Sequence, residues 1–520
     1  MEIKKNTLHV RMKNHSQMHV LCEPNITQEL SDFFSFDVPG RDYMLTYKNY
    51  KGRRKPGYRK GNWDGKAYLY NRETYTLPVG LYGYLSQFCA PRNYKVEIEH
   101  DNYYGVPGIE SDIDEMELRD WISSLDISTK GERIDIRDYQ FQGVVRAMTE
   151  KRCILLSPTS SGKSLILYLL ARKRLEDTKK RVLLIVPTTN LVQQMYRDFD
   201  DYSQYNDFDV EKECHRIMEG RPKHNIKQRV FISTWQSIYA MPREWFEQFG
   251  TILGDECHHF TAKSLTGIMN KANEADMRIG VTGTLDKSEC HKLQLQGHFG
   301  RIYRVTTTKK LMDEGTVEKL NINMIMLKYP EHEAALVKKM EYHDEMQYLA
   351  GHKKRNDFIR KLALDLEGNT LIMFRYVEAH GKVIYDELKK HAHKRRKIFF
   401  VAGETETDMR DQVRDIVEKE NNAIIVGSLG TFSTGVSINN LNNMIFAAPS
   451  KSVIKVLQSI GRLLRKSKND FTEATMYDII DNLSHRHRKN YALRHGWERV
   501  KYYSEESFPT KIYEVEIKDE

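Results

Sequence analysis

The segment Ser157–Ser164, with the sequence SPTSSGKS, lies between two apolar runs, CILL before it and LILYLL after it. Gly162, Lys163 and Ser164 match the end of the G-x-x-x-x-G-K-[ST] loop, whose backbone N–H groups bind phosphate at the start of a helix. Ser157 stands where that loop usually has its first glycine. A serine-rich turn would give the same letters, so the segment alone leaves both interpretations open. Either interpretation predicts that the chain passes here from a strand into a helix.

Short apolar runs alternate with helix-length segments on both sides of this loop. From about Gly131 to Leu320 the runs are CILL, VLLIV, VFIS, TILG and RIGV, and from about Asn321 they are TLIMF, KIFFV, AIIVG and MIFAA. These runs are apolar throughout, which is typical of parallel strands covered by helices on both faces. The pattern predicts two successive α/β domains of similar size.

The N-terminal region has a different pattern. The alternating runs TLHVRM and MHVLCE flank the turn-like KNHSQ and predict a β-hairpin. The segment NITQELSDFF follows, and Asn25 with Gln28 three residues later predicts a helix capping pair. We therefore expect a small α+β domain at residues 1–125, followed by α/β domains at 126–320 and 321–520.

Composition limits the class of protein. The chain has 520 residues, a net charge of +9 and 40% hydrophobic residues, which together fit a multidomain globular protein. No apolar run is long enough for a membrane span, and the N-terminus lacks the apolar stretch of a secretory signal, so we expect a cytoplasmic protein. Six cysteines without a C-x-x-C pair predict reduced thiols rather than a zinc site. The positive charge is compatible with a polyanionic partner.

An acidic pair follows the apolar run TILG in the segment TILGDECHH. Asp255 suits a Mg²⁺ ligand, and Glu256 suits a group that orients and deprotonates an attacking water molecule. A solvated acidic loop is the alternative interpretation. Further along, QSIGRLLR places Arg462 and Arg465 on one face of a predicted helix. Such arginines serve either as a solvated surface or as arginine fingers for a transferring phosphate.

Seven segments of this kind follow one another in the order of the superfamily 2 helicase motifs: SPTSSGKS, VPTTNLVQQ, STWQS, GDECH, VTGTL, GSLGTFSTGVS and QSIGRLLR. RDYQFQGV resembles the Q motif of that superfamily. The chain resembles DExH-type helicases, and among them the UvsW-type helicases of T-even bacteriophages, with GNWDGK and LPVGL extending the likeness into the N-terminal region. This resemblance implies two tandem RecA-like parallel-sheet motor domains, preceded by a small α+β N-terminal domain.

The resemblance also implies roles at a nucleotide site between the two motor domains. Gln140 would read the adenine edge, Gln458 would sense the γ-phosphate, and Mg²⁺ would be held by Ser164 and Asp255. The implied catalytic residues are Lys163, Asp255, Glu256, Gln458, Arg462 and Arg465. The implied ATP-binding residues are Arg137, Tyr139, Gln140, Ser160, Ser161, Gly162, Lys163, Ser164 and Gly435. Residues expected to couple the nucleotide state to domain movement are His258, Thr282 and Thr284.

Nucleic-acid contacts are expected in both the motor and the N-terminal region. The motor residues implied by the resemblance are Thr188, Thr234, Thr431 and Thr434, although each single threonine could equally be a cap or a turn residue. The segment 48–66 carries eight Lys or Arg residues with interleaved aromatic rings, which is typical of a grip on nucleic acid. Its predicted contacts are Arg53, Arg54, Lys55 and Trp63. A mobile solvated loop is the alternative.

The resulting prediction is an ATP-dependent DNA helicase or translocase that uses ATP and Mg²⁺. It is expected to unwind or branch-migrate Holliday junctions, stalled forks, D-loops and R-loops in recombination, repair and replication. Its expected partners are branched or single-stranded DNA and RNA–DNA hybrids, with no membrane, and it is expected to act as a monomer on DNA in the cytoplasm of an infected bacterium. The alternatives are an RNA-directed superfamily 2 ATPase and a non-catalytic nucleic-acid-binding module.

Overall fold

The computed structural model describes residues 4–38, 64–218, 220–285, 288–317, 319–403, 405, 407–434, 438, 440–449 and 473–518. The chain forms two compact units. One comprises residues 1–157 and 162–305, and the other comprises residues 158–161 and 306–520. None of the helices in the described part has the length and apolar character needed to cross a membrane.

The first unit begins with a small α+β domain built on a four-stranded sheet. The elements in chain order are β1 (Thr7–Met12), β2 (Gln17–Leu21), α1 (Pro24–Phe33), β3 (Ser35–Asp37), β4 (Lys66–Tyr68), β5 (Thr76–Pro78), α2 (Tyr82–Cys89) and β6 (Lys95–Glu99). The sheet order is β5-β2-β1-β6, while β3 and β4 pair separately. The predicted hairpin is confirmed, because β1 and β2 pair antiparallel with Met12 opposite Met18.

The predicted capping pair of the first helix is wrong. Helix α1 starts at Pro24, and Glu23 rather than Asn25 is its N-cap residue. Proline is well suited to the first helical position, because its fixed φ matches the helix and its missing N–H would have no partner there. The carboxylate of Glu23 accepts a hydrogen bond from the backbone N–H of Asn6 at 2.8 Å, which ties the helix start to the residue before β1.

A parallel seven-stranded sheet follows in the same unit. Its order is β11-β12-β10-β13-β14-β9-β15. The segment before it contains α3 (Glu115–Ser124), β7 (Ser128–Thr129), β8 (Glu132–Arg133) and α4 (Asp138–Glu150). The sheet and its helices are β9 (Arg152–Leu156), α5 (Lys163–Asp177), β10 (Arg181–Val186), α6 (Thr189–Tyr202), α7 (Val210–Glu213), β11 (Cys214–Ile217), β12 (Val230–Thr234), α8 (Trp235–Ile238), α9 (Arg243–Phe246), β13 (Phe249–Asp255), α10 (Lys263–Lys271), β14 (Met277–Thr282), α11 (Glu289–Phe299) and β15 (Arg301–Arg304).

The central strands of this sheet are buried on both faces. All seven residues of β13 and all six of β14 are buried, which agrees with the apolar runs TILG and RIGV that form most of the two strands. Strand β14 lies between β13 and β9, so the carboxyl ends of these three strands are neighbours. The loop after β9 and the acidic pair at the end of β13 are therefore brought to one edge of the sheet.

The second unit contains another parallel seven-stranded sheet, in the order β18-β19-β17-β20-β21-β16-β22. All four strands predicted from apolar runs are present, which confirms the tandem α/β architecture. The described elements are α12 (Thr308–Asp313), β16 (Lys319–Lys328), α13 (Glu331–Val337), α14 (Tyr342–Gly351), α15 (Lys353–Asp365), β17 (Thr370–Phe374), α16 (Val383–His391), β18 (Ile398–Val401), α17 (Thr407–Val417), β19 (Ile424–Ser428), α18 (Leu429–Thr434), β20 (Asn443–Phe446), β21 (Glu473–Asn482), α19 (Tyr491–Glu505) and β22 (Thr510–Glu516).

The N-terminal domain packs directly on the first seven-stranded sheet. The guanidinium of Arg278, on β14, is fully buried and donates to the hydroxyl of Ser16 at 2.6 Å and to the carbonyl of Met269 at 3.0 Å. The backbone N–H of His15 donates to the carbonyl of Asn273 at 3.1 Å. These contacts attach the β1–β2 turn to the motor domain through buried polar groups, whose loss would be costly.

Candidate nucleotide and nucleic-acid site

The loop between β9 and α5 has the backbone of a tight phosphate-type loop. Ser157 donates its backbone N–H to the carbonyl of Thr282 at 2.9 Å, which fixes the start of the loop to β14. Ser160 and Gly162 both have left-handed backbones, with φ of 65° and 80°. A left-handed conformation costs a non-glycine residue roughly 1–2 kcal/mol, so the serine at position 160 carries strain that a glycine would avoid. Lys163 opens α5, and its Nζ lies 3.3 Å from the carbonyl of Ser157.

The start of α4 packs against this loop through Gln140. Its side-chain Oε1 accepts the backbone N–H of Arg137 at 3.0 Å, and the residue is buried. Arg137 Nη1 in turn donates to the hydroxyl of Tyr139 at 3.0 Å. A Cβ atom added to Gly162 would collide with the side-chain amide of Gln140. The predicted adenine-reading residues therefore lie directly beside the predicted phosphate loop. Within that loop, Ser161 Oγ donates to the carbonyl of Pro158 at 2.7 Å.

The acidic pair lies where β13 ends. Asp255 is the last residue of the strand, and its carboxylate accepts the backbone N–H of Glu256 at 2.9 Å. Burial, together with the negative charge of Glu256, raises the pKa of Asp255 to about 7. Burial alone would also raise the pKa of Glu256, but the charge of Lys163 and hydrogen bonds from its neighbours lower it. Glu256 is thereby held as the charged member of the pair, which suits a proton acceptor.

Thr282 connects the loop to the acidic pair. Its hydroxyl Oγ1 lies 2.9 Å from His258 Nδ1, 3.2 Å from Glu256 Oε2 and 2.9 Å from the carbonyl O of Thr284. Its backbone carbonyl accepts the N–H of Ser157. One residue at the end of β14 thus contacts all the other predicted coupling residues, the predicted base and the start of the phosphate loop.

The oxygen donors at this edge fit a magnesium ion. Mg²⁺ in nucleotide sites takes one or two protein oxygens and completes its shell with phosphate and water oxygens. Asp255 offers a buried carboxylate, and a cation bound beside it would favour its charged form. Ser164 offers a hydroxyl, whose Oγ lies 2.8 Å from the hydroxyl of Tyr202. No sequence pattern indicates Tyr202, because its contact with Ser164 spans 38 residues along the chain.

The threonines predicted to contact nucleic acid also have structural roles. Thr188 is the N-cap of α6, and its hydroxyl accepts the N–H of Leu191 at 3.4 Å. Thr234 ends β12, where its hydroxyl lies 3.0 Å from that of Ser237. In the second unit, the hydroxyl of Thr431 lies 2.7 Å from that of Ser428, and Thr434 is the last residue of α18.

Several predicted residues lie outside the part of the chain that the structure describes. They are Gly435, Gln458, Arg462 and Arg465 of the second motor domain, and Arg53, Arg54, Lys55 and Trp63 of the N-terminal basic segment. Their roles remain predictions.

Two tandem parallel-sheet domains, with a phosphate-type loop and an acidic pair at one sheet edge, define a RecA-like ATPase of the helicase class. Three family models match successive parts of the chain: the N-terminal domain of the DNA helicase UvsW at residues 7–99, the res subunit of type III restriction enzymes at 133–287, and the helicase conserved C-terminal domain at 353–467. The chain belongs to the UvsW family of ATP-dependent DNA helicases.

The relatives support this assignment over nearly the whole chain. The ATP-dependent DNA helicase UvsW of enterobacteria phage T4 is 37% identical over 519 residues, which cover 96% of this chain and 97% of the phage protein. The crystal structure of T4 UvsW matches with a TM-score of 0.51 and 33% identity, over 98% of this chain and 99% of that one. The DNA 3'-5' translocase XPB2 of Sulfurisphaera tokodaii is 22% identical over 401 residues, covering 69% of this chain and 84% of the archaeal protein.

These findings confirm the predicted family, the tandem RecA-like fold class and the enzyme class. The protein is an ATP-dependent DNA helicase, so it uses ATP and binds nucleic acid. The assignment of SPTSSGKS as the nucleotide loop stays a prediction.

Proposed function

We propose that this helicase remodels branched DNA, by unwinding or branch-migrating junctions, forks, D-loops and R-loops in recombination, repair and replication. The observation that carries the proposal is the attachment of the N-terminal domain to the first motor sheet through Arg278, Ser16 and His15. A domain fixed in this way supplies a second nucleic-acid grip that moves together with the motor, which a branched substrate can use and a single strand does not require. We propose domain boundaries near residues 125 and 320 and action as a monomer on DNA.

The ATP chemistry is assigned to residues at the carboxyl edge of the first sheet. Lys163 binds the β- and γ-phosphates, and Glu256 accepts the proton of the attacking water. Ser164 and Asp255 hold Mg²⁺, which when bound neutralises charge on the phosphates. The guanidinium groups of the second motor domain, Arg462 and Arg465, stabilise the charge that develops during phosphoryl transfer, while Gln458 senses the γ-phosphate.

The substrate class is tested by ATP hydrolysis and strand displacement on a panel of nucleic acids. Matched oligonucleotides would form a four-way junction, a fork, an R-loop, a linear DNA duplex, a single strand of DNA and a single strand of RNA. We expect the branched DNA substrates to be processed faster than the linear duplex at equal concentration. Stimulation by RNA alone, with no strand displacement on branched DNA, would instead favour the RNA-directed ATPase.

The N-terminal basic segment is tested by neutralising Arg53, Arg54 and Lys55 together. If these cations contact phosphates, fork affinity should fall and the slope of log affinity against log salt should become shallower, by roughly one unit for each lost contact. A triple neutralisation of the exposed cations Lys339, Lys353 and Lys361 in the second unit provides a control with the same change in charge. Equal salt slopes for all three proteins would contradict a contact by the basic segment.

A further inference from the structure

Tyr202 contacts the predicted metal ligand Ser164 from the end of a neighbouring helix. The two hydroxyl oxygens are 2.8 Å apart, a normal hydrogen-bond distance. Ser164 is the second residue of α5, directly after Lys163, and Tyr202 is the last residue of α6. A phenol hydroxyl therefore lies next to the serine oxygen that the nucleotide site is proposed to use.

The position of the Tyr202 side chain is fixed by its surroundings. Its ring packs against the ring of Tyr168 on α5, with the ring centroids 5.5 Å apart, and Tyr168 packs against Phe199 on α6 at 5.2 Å. The hydroxyl of Tyr168 lies 2.9 Å from that of Ser203, the residue after Tyr202. The two helices are thus joined by rings and hydroxyl pairs, and the Tyr202 phenol has little freedom to leave Ser164.

A hydrogen bond from a neighbouring group can orient a serine hydroxyl that binds a metal ion. A serine hydroxyl has one proton and two lone pairs, and it can bind a cation only if a lone pair, not the proton, points to the ion. Mg²⁺ demands near-ideal octahedral geometry, so a misdirected hydroxyl binds it poorly. A hydrogen-bond acceptor on the side of Ser164 away from the ion would orient the serine O–H toward itself. The oxygen lone pairs would then face the ion. The phenol oxygen of Tyr202 has lone pairs and lies 2.8 Å from the Ser164 hydroxyl oxygen, so it can act as this acceptor.

Helix α6 also connects this contact to the predicted nucleic-acid surface. Thr188, a predicted phosphate contact, is the N-cap of the helix, and Tyr202 ends it. The 14 residues of α6 form one rigid element that is roughly 20 Å long. A displacement of α6 on nucleic-acid binding would therefore move the Tyr202 hydroxyl relative to Ser164.

We propose that Tyr202 is a positioning residue of the ATP site, which directs the Ser164 hydroxyl toward Mg²⁺ and links its direction, through α6, to nucleic-acid binding at Thr188. This inference rests on the roles proposed above for Ser164 and Thr188. The proposed action of Tyr202 is through Ser164 alone, without contact with the nucleotide or the metal.

The direct test is the Mg²⁺ dependence of nucleotide binding by the full-length protein, measured with fluorescent mant-ATP in EDTA and in a MgCl₂ series. Tyr202→Phe keeps the ring and removes the hydroxyl. We expect its affinity in EDTA to equal that of the wild type, and the gain in affinity on adding Mg²⁺ to be about 3–10-fold smaller, the range expected for one hydrogen bond. A Mg²⁺ dependence identical to that of the wild type would overturn the inference.

Two comparisons separate positioning from general damage. Tyr168→Phe removes a neighbouring phenol hydroxyl that faces Ser203 rather than Ser164, so its Mg²⁺ dependence should match the wild type. In a Ser164→Ala background, Tyr202→Phe should have no further effect on Mg²⁺ dependence, whereas an additional loss there would contradict action through Ser164. If Ser164→Ala itself leaves the Mg²⁺ dependence unchanged, the proposed metal role of Ser164 fails and the inference falls with it.

The link through α6 is tested separately by adding a single-stranded DNA oligonucleotide to the mant-ATP titrations. Binding free energies of two ligands are coupled reciprocally, so the factor by which DNA changes nucleotide affinity measures the link. In the wild type and in Tyr168→Phe, we expect DNA to change the nucleotide affinity by the same factor. In Tyr202→Phe, we expect that factor to be reduced toward one by at least about threefold. An unchanged factor would contradict the link, whatever the outcome of the Mg²⁺ series.

Discussion

Gly162 is a position where one residue sets the shape of the whole phosphate loop. Its φ of 80° is readily available only to glycine, and a side chain there would meet the buried amide of Gln140. Backbone conformation and close packing therefore both disfavour a side chain on the Cα atom of Gly162. Ser160 shows the contrast, since it accepts a left-handed φ of 65° with a side chain in place.

We predict that Gly162→Ala lowers nucleotide affinity at least about tenfold and destabilises the first unit by about 1–2 kcal/mol, the cost of a left-handed alanine, before the collision with Gln140 is counted. Equilibrium mant-ATP binding and urea unfolding measure the two effects.

The matched control is Gly267→Ala within α10, where a Cβ would meet nothing within 4 Å. That substitution should leave nucleotide binding unchanged and stabilise the helix by roughly 0.5–1 kcal/mol. Equal behaviour of the two alanine variants would contradict the packing argument.

At the scale of single elements, β14 joins the parts of the site. The strand lies between β9, which precedes the phosphate loop, and β13, which leads into the acidic pair. Its last residue, Thr282, contacts Ser157 at the start of the loop and Glu256 of the acidic pair. Because His258 bonds to the same hydroxyl, a change at the nucleotide alters the end of the strand and the segment after it together. We propose that β14 links hydrolysis to movement through these contacts.

We predict that Thr282→Val uncouples hydrolysis from unwinding. Valine keeps the shape of threonine but cannot bond to His258 or Glu256. The rate of ATP hydrolysis should fall by no more than about threefold, while base pairs unwound per ATP should fall about tenfold, a coupling loss within the usual range of 1–3 kcal/mol. Phosphate release and strand displacement, measured in one reaction, give the ratio.

Thr282→Ser retains the hydroxyl and serves as the control. It should keep a ratio of unwinding to hydrolysis close to that of the wild type. A parallel loss of both activities in Thr282→Val, with the ratio unchanged, would show that the hydroxyl serves hydrolysis alone.

The sequence was most informative where the local pattern and the fold agree. Runs such as VLLIV and TLIMF became central strands because both faces of a parallel sheet are buried. Five strands of the two large sheets were missed. Strands β16 and β21 begin with alternating polar residues, β22 is largely exposed, and β11 and β15 have four residues each, half of them polar. The Ser164–Tyr202 contact could not be predicted either, because the packing of α5 on α6 brings the two residues together.

At the scale of the whole molecule, each of the two compact units contains one parallel seven-stranded sheet. In the first, the N-terminal domain is attached by a fully buried arginine whose partners are carbonyl groups and the hydroxyl of Ser16. His15 lies in the same contact, where its carbonyl accepts a hydrogen bond from Arg152 and its ring meets that of Tyr104 edge to face at 5.1 Å. The attachment therefore places a titratable ring beside buried positive charge.

We predict that this attachment weakens in mild acid. Burial, followed by the charge of Arg152, lowers the pKa of His15 to about 4, against the reference value of 6.5. The unfolded chain therefore binds this proton more readily than the folded one, and stability is lost as pH falls from about 6.5 toward 4. The loss should be on the order of 2 kcal/mol, measurable by thermal unfolding across that range.

His15→Phe keeps an aromatic ring without a titrating group. The difference in stability between this variant and the wild type should change across the same pH range and be constant above pH 7. A difference that does not depend on pH would show that His15 makes no contribution through its protonation.

We propose that ATP hydrolysis at the carboxyl edge of the first sheet drives the remodelling of branched DNA. The decisive experiment follows conversion of a four-way junction, with phosphate release, for the wild type and Glu256→Gln. We expect Glu256→Gln to bind mant-ATP and the junction as the wild type does, yet to lose at least about 100-fold in both hydrolysis and junction conversion, within the usual range for general base catalysis. Junction conversion by Glu256→Gln at a rate near that of the wild type would contradict it.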